Sequence, residues 1–199
     1  MHKALNHRLN PLRSAPNLLT ILRICIAPFL VAAILDEHYL LSFSLFAAAG
    51  LIDALDGTLA RMLKQRSMLG HYLDPVADKL LLSALFLVLL HKGLMPVTVT
   101  VLVIGRDVGI LMVAAILYAA VGRREFQPSI FGKANTLAQI GAVAAVLLGK
   151  VIPSAQWVAV TRTVALDLTI GLTIASGLHY AWLVSRRTGT PAANGAAAK

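Results

Sequence analysis

The chain has 199 residues, is 58% hydrophobic and carries 18 Lys+Arg against 9 Asp+Glu, a formal net charge of +9. A soluble domain is about 45–50% apolar; the excess here falls in long blocks, which excludes an ordinary globular domain and points to a bilayer as solvent. The basic surplus sits at the ends of those blocks, where anionic headgroups and the positive-inside rule account for it, so nucleic-acid binding is excluded as well.

One hydrocarbon thickness takes about 20 apolar residues in a helix. The expected fold is therefore all-α: a polytopic membrane protein with six transmembrane helices and a short N-terminal amphipathic helix. Residues 2–13 are basic and amphipathic and are expected to lie on the membrane surface. Pro16-Asn17 opens a first span, about Leu18–Leu35, with no small-residue cleavage site after it, so it reads as retained. Cys25, the single cysteine, is expected as a small core residue. A polar turn at Asp36-Glu37-His38 leads to span two, about Leu40–Arg61. Span three runs from near His71 to near Leu90, and span four covers about Pro96–Val121. Span five is about Lys133–Leu148, and span six about Val158–Val184. The membrane domain is taken as 1–187, and the Ala/Gly/Thr-rich tail 188–199 as disordered.

Charge placement gives the orientation. Lys3, Arg8 and Arg13, then Arg61, Lys64 and Arg66, then Arg123, Arg124 and Lys133, then Arg186, Arg187 and Lys199 fall at alternate helix ends, whereas the opposite ends hold Lys92 and Lys150. Both termini are therefore expected in the cytoplasm of a cell whose inner membrane holds the chain. No internal repeat is visible, which argues against an inverted-repeat transporter.

Acidic residues are scarce, yet four of the nine fall between positions 53 and 78. Asp53 and Asp56 are three apart; Asp74 and Asp78 are four apart. On helices each pair shares a face, and the short basic linker makes spans two and three antiparallel neighbours whose pairs can converge at the cytoplasmic side. Four converging carboxylates repel, and charges in a span each cost at least about 2.5 kcal/mol on insertion scales. Divalent cations offset that. A ligand set of oxygens without His or Cys suits two Mg²⁺ or Mn²⁺ ions, and such a pair, about 3.5–4 Å apart, supports in-line displacement at phosphorus. Gly57 and Gly70 clear space beside the helices, Ala60 keeps the face shallow, and Arg61 can fork onto a phosphate.

The run D-x2-D-G-x2-A-R-x8-G-x3-D-x3-D, read from Asp53 to Asp78, resembles the signature of the CDP-alcohol phosphatidyltransferase family at every fixed position. The resemblance implies a helical bundle, usually a homodimer, with its active site in a cytoplasm-facing cavity among membrane lipids. It implies that Asp53, Asp56, Asp74 and Asp78 hold two divalent cations, Mg²⁺ or Mn²⁺. It makes Asp78 the general base as well, and places Gly57, Ala60, Arg61 and Gly70 around the CDP group of CDP-diacylglycerol. The implied reaction is phosphatidyl transfer to an alcohol with release of CMP.

Arg106 lies inside span four and Lys133 opens span five. They are read as holding an acceptor phosphate; the plainer reading is an internal ion pair for Arg106, with Asp107 a poor partner about 100° away round the helix, and a positive-inside flank for Lys133. Pro128–Thr136 and Pro16–Arg23 resemble the glycerol-accepting branches, phosphatidylglycerophosphate synthases and CMP-forming cardiolipin synthases. Glycerol 3-phosphate is put first as acceptor and phosphatidylglycerol second, although Asp107, where many of the former have Glu, leans toward the latter. Thr20 and Arg23 are further candidates near the donor headgroup. His71, His179, Tyr180 and Trp182 are read as interfacial, and Arg162 and Asp167 as a potential pair. The competing functions are an ion- or proton-conducting path through the same carboxylates, which has no need of the Gly57–Arg61 spacing, and a non-catalytic scaffold, which would not keep four acids together.

Overall fold

The computed structural model describes the backbone of residues 15–63, 68–121 and 130–188, and the side chains of 22, 24–54, 79–113, 130–182 and 185. Six helices follow one another: α1 Ala15–Leu35, α2 Tyr39–Leu63, α3 Met68–His91, α4 Val97–Val121, α5 Ile130–Val151 and α6 Gln156–Thr188. Among the described residues a helix lies within a few residues of each expected span, and no strand occurs. The amphipathic segment 2–13 and the tail beyond residue 188 lie outside the described residues.

The helices form a ring in which α1 packs on α2, α2 on α5, α5 on α6, α6 on α4, α4 on α3 and α3 on α1, with α3 also reaching α5. One expectation changes here. Among the described residues α2 and α3 do not pack on each other; α1 and α5 each touch both and hold the two apart away from their linker.

The interior is built from Leu30 and Ile34 of α1, Leu85, Phe86 and Leu89 of α3, Val99 and Val103 of α4, and Val143, Val146 and Leu147 of α5. These residues gather toward the end of the bundle where the short turns lie. The α5–α6 seam is closest, because α5 presents Ala138, Ala142 and Ala145, all buried, and Gly149, where an added Cβ would stand 3.7 Å from Val158. Small residues let helix backbones approach where lipid gives no hydrophobic push.

Two matching caps close the turns. Leu94 N–H bonds to Leu89 C=O and Gly93 N–H to Leu90 C=O, the pattern that ends a helix on a left-handed residue, with Gly93 at φ 67°. α1 ends the same way, through His38 N–H to Ala33 C=O and Glu37 N–H to Ile34 C=O, but with Glu37 at φ 62°. A glutamate in that conformation is strained, and Lys92 offsets the cost. Its Nζ donates to Glu37 Oε1 at 2.5 Å and to Leu35 C=O at 3.2 Å, a carbonyl that the helix end leaves unpaired. Lys150 Nζ lies 5.6 Å from the Tyr39 ring, and Arg162 Nη2 donates to Leu94 C=O at 2.9 Å. Arg162 is thus taken up by a backbone carbonyl, and the expected Arg162–Asp167 pair does not form. Cys25 is exposed on α1, not part of the core; a small, weakly polar thiol suits an outward face as well as an inward one.

Two outcomes follow from this end of the bundle. Ala142→Leu, which forces a large side chain into the α5–α6 seam, lowers stability by about 1–3 kcal/mol, read as a fall in the thermal midpoint of the full chain in detergent. The Lys92 hydrogen bond, then its charge, holds the Glu37 carboxyl below its ordinary 4.5, and the bond to Glu37 raises Lys92 above its ordinary 10.5. The pair's contribution is full between those two values. It is lost as pH falls through the lowered Glu37 pKa and as pH rises through the raised Lys92 pKa. Glu37→Gln therefore lowers the midpoint slightly near neutrality, and the difference from the parent disappears in strong acid; melts across pH check this.

Candidate active site

α2 carries Asp53, Asp56, Gly57, Ala60 and Arg61 in one unbroken helix, and α3 carries Gly70, Asp74 and Asp78 in another. Spacings of three and four residues are thus helical spacings. Asp53 is exposed on α2. The side chains of Asp56, Gly57, Ala60, Arg61, Gly70, Asp74 and Asp78 lie outside the described residues, as do Thr20, Arg23 and His71. Among the described residues no three His, Cys, Asp or Glu side chains cluster, a search that reaches only Asp53 of the four aspartates.

The partner of Asp78 in the chain, Lys79, fixes the level of the motif against the other helices. Lys79 Nζ lies 3.1 Å from Asp107 Oδ1 on α4. The same oxygen takes Arg106 Nη1 at 2.6 Å. Here the sequence reading is corrected: Asp107 is the partner of Arg106. Adjacent positions diverge round a helix, but the long arginine stem curls back far enough for its planar fork to reach. Arg106 Nη2 then donates to Ser176 Oγ of α6 at 2.5 Å, and the guanidinium carbon stands 5.8 Å from the Tyr180 ring centre. The Arg106 and Asp107 side chains are only 8% and 10% exposed, so two cations share one buried carboxylate and the triad keeps a net positive charge. That charge lies on α4 and α3 at the turn next to Asp78.

α5 and α6 meet the same level. Phe131 and His179 rings are 5.0 Å apart, and Thr173 Oγ1 donates to Asn135 Oδ1 at 2.9 Å. Lys133, on the first turns of α5, is exposed and is not joined to the Arg106 cluster. The sequence reading passed over Ser176, Thr173 and Asn135, and gave Tyr180 no role beside Arg106. A signal for them was present: Thr169, Thr173, Ser176 and Tyr180 recur at three to four residues along an otherwise apolar helix, which is one polar stripe. His179 and Tyr180, read as interfacial, are half-buried; Trp182 is exposed.

The profile of the family described as CDP-alcohol phosphatidyltransferase matches residues 13–173. The chain belongs to that family. Within it, the chain is 37% identical over 154 residues to the human protein named cardiolipin synthase (CMP-forming), covering 68% of this chain and 50% of that one. It is 35% identical over 128 residues to the Aquifex aeolicus CDP-diacylglycerol–glycerol-3-phosphate 3-phosphatidyltransferase, covering 62% and 70%. It is 32% identical over 171 residues to a probable phosphatidylglycerophosphate synthase of Mycobacterium tuberculosis, covering 82% and 78%. This CDP-alcohol phosphatidyltransferase family member spans half the length of the human and rat relatives that it matches.

Because Asp107 serves two cations, removing it leaves both uncompensated. Asp107→Leu is expected to cost about 3 kcal/mol, whereas Arg106→Met combined with Asp107→Leu costs clearly less than Asp107→Leu alone. Thermal melts of the three proteins in one detergent measure the coupling.

Proposed function

We propose that the chain is an integral membrane enzyme that transfers a phosphatidyl group from CDP-diacylglycerol to a glycerol-type acceptor and releases CMP. The observation that carries this reading is the complete Asp53–Asp78 signature, set on two unbroken helices of a family member. Six membrane spans are supported by what the helices turn outward. Phe29, Leu51, Leu80, Val101, Leu137 and Leu178, one from each helix, are exposed. Two described segments, Ile130–Val151 and Gln156–Trp182, are long and apolar enough to cross a membrane. The bundle lies with both termini and the acid end toward the cytoplasm of an inner membrane, as the Lys and Arg placement supports, and works as a homodimer.

The donor set fits hard cations: four carboxylates at helical spacing, with no His or Cys among them. Asp53, Asp56, Asp74 and Asp78 would hold two Mg²⁺ or Mn²⁺ ions, which supply positive charge to the pyrophosphate and the departing CMP. Asp78 takes the proton of the acceptor hydroxyl. The hydroxyl oxygen forms a bond to the phosphatidyl phosphorus as the bond from that phosphorus to the CMP oxygen breaks. Gly57, Ala60 and Gly70 leave room for the CDP group, and Arg61 pairs with its phosphate. Arg106 and Lys133 attract the acceptor phosphate. The buried triad supports the Arg106 role: Asp107 neutralises only one of two cations, and one of those cations, Lys79, follows Asp78 in the chain.

Glycerol 3-phosphate is the first acceptor proposed, in keeping with the names of the Aquifex and Mycobacterium relatives. Phosphatidylglycerol is the second, and two observations favour it: Asp107 beside Arg106, and 37% identity to a protein named cardiolipin synthase. Both acceptors present a phosphoglycerol unit.

The purified full chain, given CDP-diacylglycerol and Mg²⁺ or Mn²⁺, is expected to release CMP with one of the two acceptors and to stop on chelation. Asp78→Asn lowers kcat by at least about 10²-fold while the thermal midpoint is retained. Transfer that survives this substitution removes Asp78 as base. Ion flux into sealed vesicles without CMP release would replace the transferase reading by conduction.

A further inference from the structure

Among the described residues four buried side-chain nitrogens lack a hydrogen-bond partner: Arg106 Nε, Asn135 Nδ2, Gln139 Nε2 and His179 Nδ1. They share one region. Asn135 and Gln139 are one turn apart on α5, only 0% and 2% exposed, and face the seam with α6. Asn135 Oδ1 receives Thr173 Oγ1 at 2.9 Å. Ser176, which holds Arg106 Nη2 at 2.5 Å, lies three residues further along the same helix, about 4.5 Å in rise. The orphaned amide of Asn135 is thus about one helical turn from the guanidinium. Whichever way that amide is turned, one of its polar atoms remains unpaired.

Unpaired buried donors are rare and costly, and a row of them calls for an occupant. Their chemistry defines it. Arg106 donates only, and the Asn135 oxygen is already engaged. Asp107, a near carboxylate, is occupied by two cations. A group that reached these donors would therefore be rich in oxygen lone pairs, and neither a cation nor an acyl chain. A phosphoglycerol unit has the right extent: its hydroxyls lie within about one helical turn of its phosphate.

We propose that Asn135 and Gln139 form a hydroxyl-reading subsite for the glycerol of the acceptor, beside the Arg106 position for its phosphate. This rests on the phosphatidyl-transfer reading and deepens it. The amides hold the secondary hydroxyl, so that a primary hydroxyl is presented to Asp78.

The test compares each acceptor with its analogue lacking only the secondary hydroxyl: glycerol 3-phosphate against 3-hydroxypropyl phosphate, and phosphatidylglycerol against phosphatidylpropane-1,3-diol. The arm that releases CMP identifies the source of the phosphoglycerol. In that arm the parent protein is expected to favour the glycerol compound by at least about tenfold in kcat/KM. Asn135→Leu, and independently Gln139→Met, which leaves the Asn135–Thr173 bond in place, bring the ratio toward one through the KM for acceptor, with the KM for CDP-diacylglycerol unchanged. A ratio that both variants leave intact overturns the subsite, even if their thermal midpoints fall, because that pattern belongs to packing or a buried water. A parent protein that releases no CMP in either arm overturns the transferase reading and the subsite with it; an active parent with an insensitive ratio overturns the subsite alone.

Discussion

The shared carboxylate of Asp107 sets the geometry of the working half of the bundle. Charges this deeply buried persist only when paired and bonded, and here one oxygen accepts from Lys79 of α3 and Arg106 of α4 while Arg106 continues to Ser176 of α6. Three helices are thereby keyed at one level, and that level is one residue from Asp78. A hydrophobic contact would allow the helices to slide by part of a turn at small cost. A fork of directed bonds does not, so the cation of α4 keeps its height against the acid motif of α3.

The second constraint is the inversion of polarity. On α6 the inward stripe is Thr169, Thr173 and Ser176, all at most 2% exposed, whereas Trp157, Val160, Val164, Leu168, Leu178 and Trp182 face outward. A water-soluble bundle would turn this helix the other way. The two tryptophans are separated by about 38 Å at 1.5 Å per residue, close to the thickness of a bilayer with its interfacial regions, where aromatic residues collect. Thr169 bonds to Ala138 C=O of α5 and to Ala165 C=O of its own helix, so polar side chains tighten the seam that alanines bring close.

Element by element, the helices were legible because each apolar block is bounded by strong punctuation: Asp36-Glu37-His38, His91-Lys92-Gly93 and Pro153. The family was legible from the resemblance of the Asp53–Asp78 run to its signature, and helical periodicity added that each acid pair shares a face. Two kinds of feature were not legible. The partner of Arg106 depended on how far a flexible stem bends, which a helical wheel does not report, so the adjacent Asp107 was discounted. Packing order was the other: a short linker suggests that α2 and α3 lie side by side, but among the described residues α1 and α5 each touch both and the two do not touch each other. Single polar residues such as Asn135 and Ser176 carry no pattern until the opposing helix gives them a partner.

The two ends of the bundle differ in the kind of bond they use, and the difference suits a membrane catalyst. At the turn end, Lys92, Lys150 and Arg162 are each spent on a cap, a ring or a carbonyl, and the large apolar side chains of α3, α4 and α5 fill the interior. Toward the acid end, bonds are left unmade: Arg106 keeps a free Nε, and Asn135, Gln139 and His179 each keep one unpaired nitrogen. Unsatisfied donors weaken the fold locally, and the caps and apolar packing of the turn end offset that cost. The turn end is thus held by caps and apolar packing, and the acid end carries the unpaired donors on which the proposed acceptor site rests.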